Sequence, residues 1–168
     1  MSKETIEAKA LAHRRWLGFN DCQGIDPMTA IVKLKTRASK RHFNYEVKRG
    51  SEQPLHPAHW DYDRGVLVLS KDTFQGMNQH QARDMFTFAH EVGHILLDHQ
   101  AKLHRAPAED QGGKHSKLIQ SLEYQANVYA AAFLIPDTPE VRSYSIDEIC
   151  RRYFVSRKTA EIWLDGRT

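Results

Sequence analysis

Two histidines four residues apart, with a glutamate directly after the first, make His90-Glu91-Val92-Gly93-His94 the segment of this chain best suited to chemistry. On a helix, positions four apart lie one turn above each other on one face, so both imidazoles can reach a single zinc ion. Glu91 then stands beside the metal rather than on it, where it can take a proton from a zinc-bound water. The plainer alternative is two ordinary histidines on a buried helix, each of which would have to find hydrogen-bond partners in a core. A metal removes that cost. Gly93, small and next to His94, lets another segment approach closely.

A tetrahedral catalytic zinc needs a third protein ligand. The arrangement that draws it from six residues past the second histidine fails, because that position is Gln100. His99, five past His94, swings off the ligand face of a continuing helix. Asp98, four past, stays on that face, and reads as a ligand, as a hydrogen-bonding partner for His94, or as a solvated helix-end acid. The other arrangement takes a glutamate from a separate downstream helix, and Glu123 fits it. Residues 123, 126, 127, 130 and 134 share one helical face, and Ala126 and Ala130 keep that face small enough to pack on the zinc helix. Asn127 on the same face is a candidate to support the site. An oxyanion donor is also required, and Tyr124, His115 and Arg142 are candidates for it.

These residues need elements to hold them. Residues 79–99 read as one long buried helix, with Phe86, Phe88, Ala89, Val92, Ile95, Leu96 and Leu97 apolar around most of its circumference. Residues 117–134 read as a second, ended by Pro136, and residues 100–116 as a polar, mobile loop between them. Val66–Leu69 is a strand. Residues 50–65, rich in Pro, Gly and Asp, read as a loop; the His56-x-x-His59 pair within it could bind metal but lacks a third ligand nearby. Residues 3–17 form a polar helix with Ile6, Ala10, Leu11 and Leu17 as its apolar stripe. Asp26-Pro27 opens another helix, to about residue 38. Ser145 and Glu148 make a capping box at the start of a helix–turn–helix over 145–165. The expected fold is α+β: a mostly helical, zincin-like domain with a small twisted β-sheet over 1–140, and a C-terminal helix pair over 141–168 packed on it.

With 168 residues, 40% hydrophobic and 27% charged, the composition is that of an ordinary globular chain, which excludes collagen-like, low-complexity and wholly disordered classes. No apolar run approaches the roughly 20 residues of a membrane helix. The first residues lack an apolar core of signal-peptide length, so the expected location is the cytoplasm, without a membrane partner. Cys22 and Cys150 form no C-x-x-C pair and are expected to be reduced. The net charge of +3, with seven basic residues between Lys33 and Arg49, permits a nucleic-acid contact without demanding one.

The segment Arg83-Asp-Met-Phe-Thr-Phe-Ala-His-Glu-Val-Gly-His94, followed by Glu123-x-x-Ala-Asn-x-Tyr-Ala-Ala-Ala-Phe-Leu-Ile-Pro136, resembles the ImmA/IrrE family of zinc metallopeptidases. The family's motifs read R-F-T-x-A-H-E-x-G-H and E-x-x-A-N-x-F-A-A-x-L-L-M-P. The likeness is good over about residues 64–137 and looser to 165. It implies one Zn2+ per chain held by His90, His94 and Glu123, with Glu91 as catalytic base. It also implies a cytosolic endopeptidase of phages or mobile elements whose protein substrate is a helix-turn-helix repressor. Tyr129 departs from the family's Phe, and the loop over 100–116 is long. A second class of function stands beside this one: a regulator that binds DNA or a repressor through residues 145–165 and 33–49, around a structural metal. That site would need closing by a fourth ligand from His99, Asp98 or His115. A third is an antirepressor that sequesters its partner without cutting it, against which the intact Glu91 argues.

Overall fold

The computed structural model describes residues 1–37, 42–49, 56–99 and 114–166, with side chains in the last stretch from 117 onward. The expected loop over 100–116 therefore falls largely outside the described residues, as do Lys40 and Arg41 of the basic stretch.

The fold is mostly helical with one small mixed sheet. Helix α1 (Lys3–Trp16) starts at Ser2, whose Oγ accepts the Thr5 N–H. It buries Ile6, Ala10 and, between them and Leu17, the guanidinium of Arg14. Helix α2 (Pro27–Arg37) starts as the Asp-Pro pair predicts: the Thr29 N–H donates to Asp26 Oδ1 at 2.7 Å. Strands β1 (Asn44–Lys48), β2 (Ala58–Asp61) and β3 (Val66–Ser70) follow. The sheet order is β1-β3-β2; β1 runs parallel to the buried central β3, and β2 runs antiparallel to it at an edge.

β2 corrects the expected loop over 50–65. Its four residues alternate, with Ala58 and Trp60 buried and His59 exposed, and Trp60 stacks on Phe43. The long helix expected over 79–99 is the shorter α4 (Ala82–Leu96), and a separate helix that the sequence reading did not contain, α3 (Lys71–Asn78), precedes it. Between them His80 takes a left-handed φ of 56°. Gly76 is what lets the two meet: a Cβ there would lie 1.9 Å from an Asp84 carboxylate oxygen.

Helix α5 (Lys114–Leu134) packs along α4, as the alanine face predicts. Ala126, Ala130 and Phe133 are buried on one side of the contact, and Phe88, Ala89 and Val92 on the other. The close crossing is at Gly93, where a Cβ would come within 3.0 Å of the Tyr129 ring. Tyr129 is fully buried; its hydroxyl meets His13 Nδ1 of α1 at 3.1 Å, so the extra oxygen is satisfied.

A short helix α6 (Pro139–Arg142) leads to α7 (Ile146–Tyr153) and α8 (Arg157–Asp165). The capping box at Ser145 and Glu148 is formed. Ile149, Tyr153, Ala160 and Trp163 are buried. In the turn, Phe154 adopts a left-handed φ of 55° and stacks on His80 with 4.1 Å between ring centres. This aromatic is therefore held against the body of the molecule. Among the described residues no helix is long and apolar enough to cross a membrane, and both cysteines are free thiols.

Candidate metal centre

α4 carries His90 and His94 one turn apart and turns both toward α5. Their Nε2 atoms lie 3.0 Å apart. Glu123 of α5 closes the triangle, with one carboxylate oxygen 3.2 Å from His90 Nε2 and the other 3.3 Å from His94 Nε2. Among the described residues, this is the group of three His, Cys, Asp or Glu side chains whose donor atoms converge.

The tautomers support a cation at that point. Asn127 Oδ1, 3.0 Å from His90 Nδ1, can only accept. His90 Nδ1 therefore carries a proton, which in the neutral ring leaves Nε2 to present a lone pair. His94 has the same option: with Nδ1–H donated to His99 Nδ1 at 3.1 Å, its Nε2 is bare as well. Two lone pairs and a carboxylate then face one another. Bonds of about 2.05 Å in a tetrahedron put ligand atoms about 3.3 Å apart, close to the separations here. The donor set and its spacing fit a zinc ion.

Electrostatics agree. Burial, and then the neighbouring His90, lower the His94 pKa to about 4 against the opposing pull of Glu123, so His94 is neutral at neutral pH, as a ligand must be. Glu91 is pushed up to about 8, by burial first and by the Glu123 charge second, while the Trp60 backbone amide draws it down. Glu91 shares with the three donors a cavity of about 710 Å³, whose opposite wall is His56 to Trp60 of the β2 edge.

Of the residues singled out by sequence, His90, His94, Glu123, Glu91 and Asn127 come together here. Asp98 does not join them as expected. The helix ends before it, and Asp98 takes a left-handed φ of 57°, so an argument from a continuing helical face fails. That same turn sends the chain back and delivers His99, fully buried, to His94 Nδ1. Sequence reasoning set His99 off the ligand face or made it a closing fourth ligand and missed its contact with His94 Nδ1, because a non-glycine left-handed residue at a helix end leaves no sequence signal. Arg142 donates to both oxygens of Asp137, at 2.7 and 2.9 Å, and does not line the cavity. Tyr124 stands outside it, half-exposed. The His115 side chain lies outside the described residues. His56 and His59 sit on the cavity wall but outside the converging group.

Comparison with known proteins decides the family. The profile of a peptidase family described as the IrrE N-terminal-like domain (Peptidase_M78) matches residues 46–164. The chain belongs to that family. The match runs from β1 through α8, so the C-terminal helix pair lies inside the IrrE-like domain. No curated protein matches the chain. Among solved structures, a Mycobacterium tuberculosis transcriptional regulator superposes with a TM-score of 0.64 at 15% identity. The alignment covers 94% of this chain and 45% of that one, so the chain spans less than half the length of this neighbour. At that identity the likeness establishes a shared fold.

Proposed function

We propose that this IrrE-like protein is a zinc-dependent endopeptidase acting on a regulatory protein, a helix-turn-helix transcriptional repressor. The observation that carries the reading is the convergence of His90, His94 and Glu123 beside a half-buried Glu91 in an open cavity. A zinc ion held by those three donors would polarise the scissile carbonyl and acidify the attacking water. Glu91 takes the proton from that water and passes it to the leaving amine. A carboxylate held near neutrality, as burial holds this one at about 8, is suited to both halves of the transfer.

Edge strand β2 supports a peptide as the substrate. Pro57 O accepts the Ser70 N–H at 2.9 Å. Alternation in an antiparallel pair then turns the backbone groups of Ala58 and Trp60 away from β3, and the Trp60 amide indeed meets Glu91. An extended chain can add to that outward edge and lie across the cavity.

A protein partner is favoured over DNA. Arg157, the first residue of α8, donates to Asp147 at 2.8 Å and Glu161 at 3.1 Å, which neutralises the end that would approach phosphates. The mycobacterial neighbour is a transcriptional regulator, which also supports a place in transcription control.

The test is zinc content by mass spectrometry for wild type and Glu123→Ala, then incubation of the zinc-loaded protein with purified repressors encoded beside it. One zinc per chain that is lost in the variant, together with discrete repressor fragments absent with Glu91→Gln, is the expected result. Absence of zinc from both proteins, after growth with added metal, would overturn the reading.

A further inference from the structure

A second cavity, of about 270 Å³, opens beside the catalytic one. Its floor and sides are apolar: Phe86 of α4, Val128 and Ala131 of α5, and Trp163 of α8. Two large side chains at its rim are left in water, Tyr124 at 55% exposure and Ile162 at 62%. Folding gives no reason to leave a hollow of this kind open, and contiguous exposed apolar surface commonly marks a binding site.

Two residues line both cavities. Phe86 and Asn127 stand on the wall between them. Phe86 lies one helical turn before His90, Asn127 lies one turn after Glu123 and bonds to His90, and Tyr124 directly follows Glu123. One turn is about 5.4 Å, and an extended peptide advances about 3.3 Å per residue. A chain whose carbonyl sits at the three converging donors therefore places a side chain within two residues of the scissile bond over this hollow.

We propose that this cavity, roofed by α8, is a specificity pocket that takes a bulky aliphatic or aromatic side chain of the substrate, within two residues of the cleaved bond. This rests on the peptidase reading above and adds the class of residue selected. The C-terminal helix pair then has a functional task as well as a packing one, since Ile162 and Trp163 of α8 form part of the pocket. Of the lining residues only Lys3 and Glu7, of opposite sign, are charged, and the rest favour an apolar side chain.

Two measurements on the full-length, zinc-loaded protein separate this proposal from the reading beneath it. The first is binding. N-acetyl-phenylalanine amide is titrated while the Ile162 and Val128 methyl resonances are followed, with N-acetyl-alanine amide as comparison. Saturable shifts with the first ligand only, abolished by Ala131→Phe and by the exposed-site variant Ile162→Glu, are expected. The second is cleavage of a peptide library made from a proteome digest. It should show at least about a tenfold preference for Leu, Ile, Phe, Met or Tyr over Ala at one position next to the cut. In Ala131→Phe that preference should move to small residues. Saturable binding with no cleavage of the library or of any repressor would overturn the peptidase and with it the placement beside a cleaved bond, while the apolar binding site itself would stand. Cleavage with no apolar preference, or with one that both variants leave unchanged, would overturn the pocket and leave the peptidase standing.

Discussion

Two polar clusters lie in the helical body of this protein, and they are satisfied in opposite ways. At the crossing of α1 with the end of α5, the fully buried Arg14 donates to Phe133 O at 2.9 Å, Leu134 O at 3.2 Å and Asn20 O at 2.8 Å, and also to Gln23 O. Its donors are spent on carbonyls, two of them the orphaned C-terminal carbonyls of α5. Burial still lowers its pKa to about 10, so it stays charged. One turn of α4 away from the sheet edge, His90, His94 and Glu123 present acceptors to each other at 3.0–3.3 Å. The first cluster is complete within the chain and fixes where α5 ends. The second turns three metal-ligating side chains on a single point. A buried polar group answered by backbone reads as architecture, and a set of acceptors turned on one point reads as a place for a cation.

The sharpest test of that contrast is at Glu91, which borders the second cluster without belonging to it. Glu91→Gln keeps the shape and removes the base. Turnover should fall by about 10²–10⁴, while zinc content and melting temperature hold. Loss of zinc in this variant would place Glu91 among the ligands and break the assignment of roles.

Arg14→Met should produce the largest loss of stability, about 3 kcal/mol or more, because four carbonyls lose their donor, two of them buried at the end of α5. Denaturant unfolding measures it. The fraction still folded should bind zinc normally. A mild effect on unfolding with a large effect on zinc would reverse the two labels.

His99→Phe sharpens the comparison from the other side. An aromatic ring is kept, somewhat larger than the imidazole, and the acceptor for His94 Nδ1–H goes. Zinc affinity should fall about 10–100-fold, measured by competition with a chromophoric chelator, with a small change in unfolding. Unchanged affinity would mean that His99 fills space and does not orient His94.

The sequence revealed this site better than the elements around it, for physical reasons. His90, His94 and Glu123 were legible because metal ligation imposes residue type and spacing together, and because the alanines of α5 announce close packing. Ser145 with Glu148 and Asp26 with Pro27 were legible because capping is local. Helix α3 was not, since its eight residues Lys71–Asn78 are too short to repeat an apolar face and Gly76 sits within them. β2 was obscured because Pro57 and the Asp61–Asp63 turn outweigh a four-residue alternation. β1 was obscured because all five of its residues are only partly buried, so it carries no apolar stripe. Arg14 was invisible for a related reason: an arginine on a polar helix reads as surface until the end of α5 is placed over it.

The smallest expected effect lies at the sheet, far from either cluster. Glu46 of β1 accepts from Arg64 at 2.8 Å and lies 3.2 Å from Lys48. Hydrogen bonds from Arg64 first and Lys48 second draw its pKa down from 4.5 to about 2. A carboxyl whose folded pKa is depressed binds its proton more tightly when unfolded. Its contribution is therefore present above about pH 4.5 and is lost as the pH falls toward 2. The group is exposed, so solvent and salt screen the interaction, and the contribution is slight. Melting temperatures of wild type and Glu46→Gln, taken between pH 2 and 6 at low salt, should converge at the acid end and separate slightly above pH 4.5, with wild type the more stable. High salt should close the gap, whereas the Arg14→Met deficit should persist in salt, because the Phe133 and Leu134 carbonyls it would orphan are buried. A salt-sensitive Arg14 effect would mean that water reaches that cluster, and the distinction between the two polar centres would then have to rest on the metal alone.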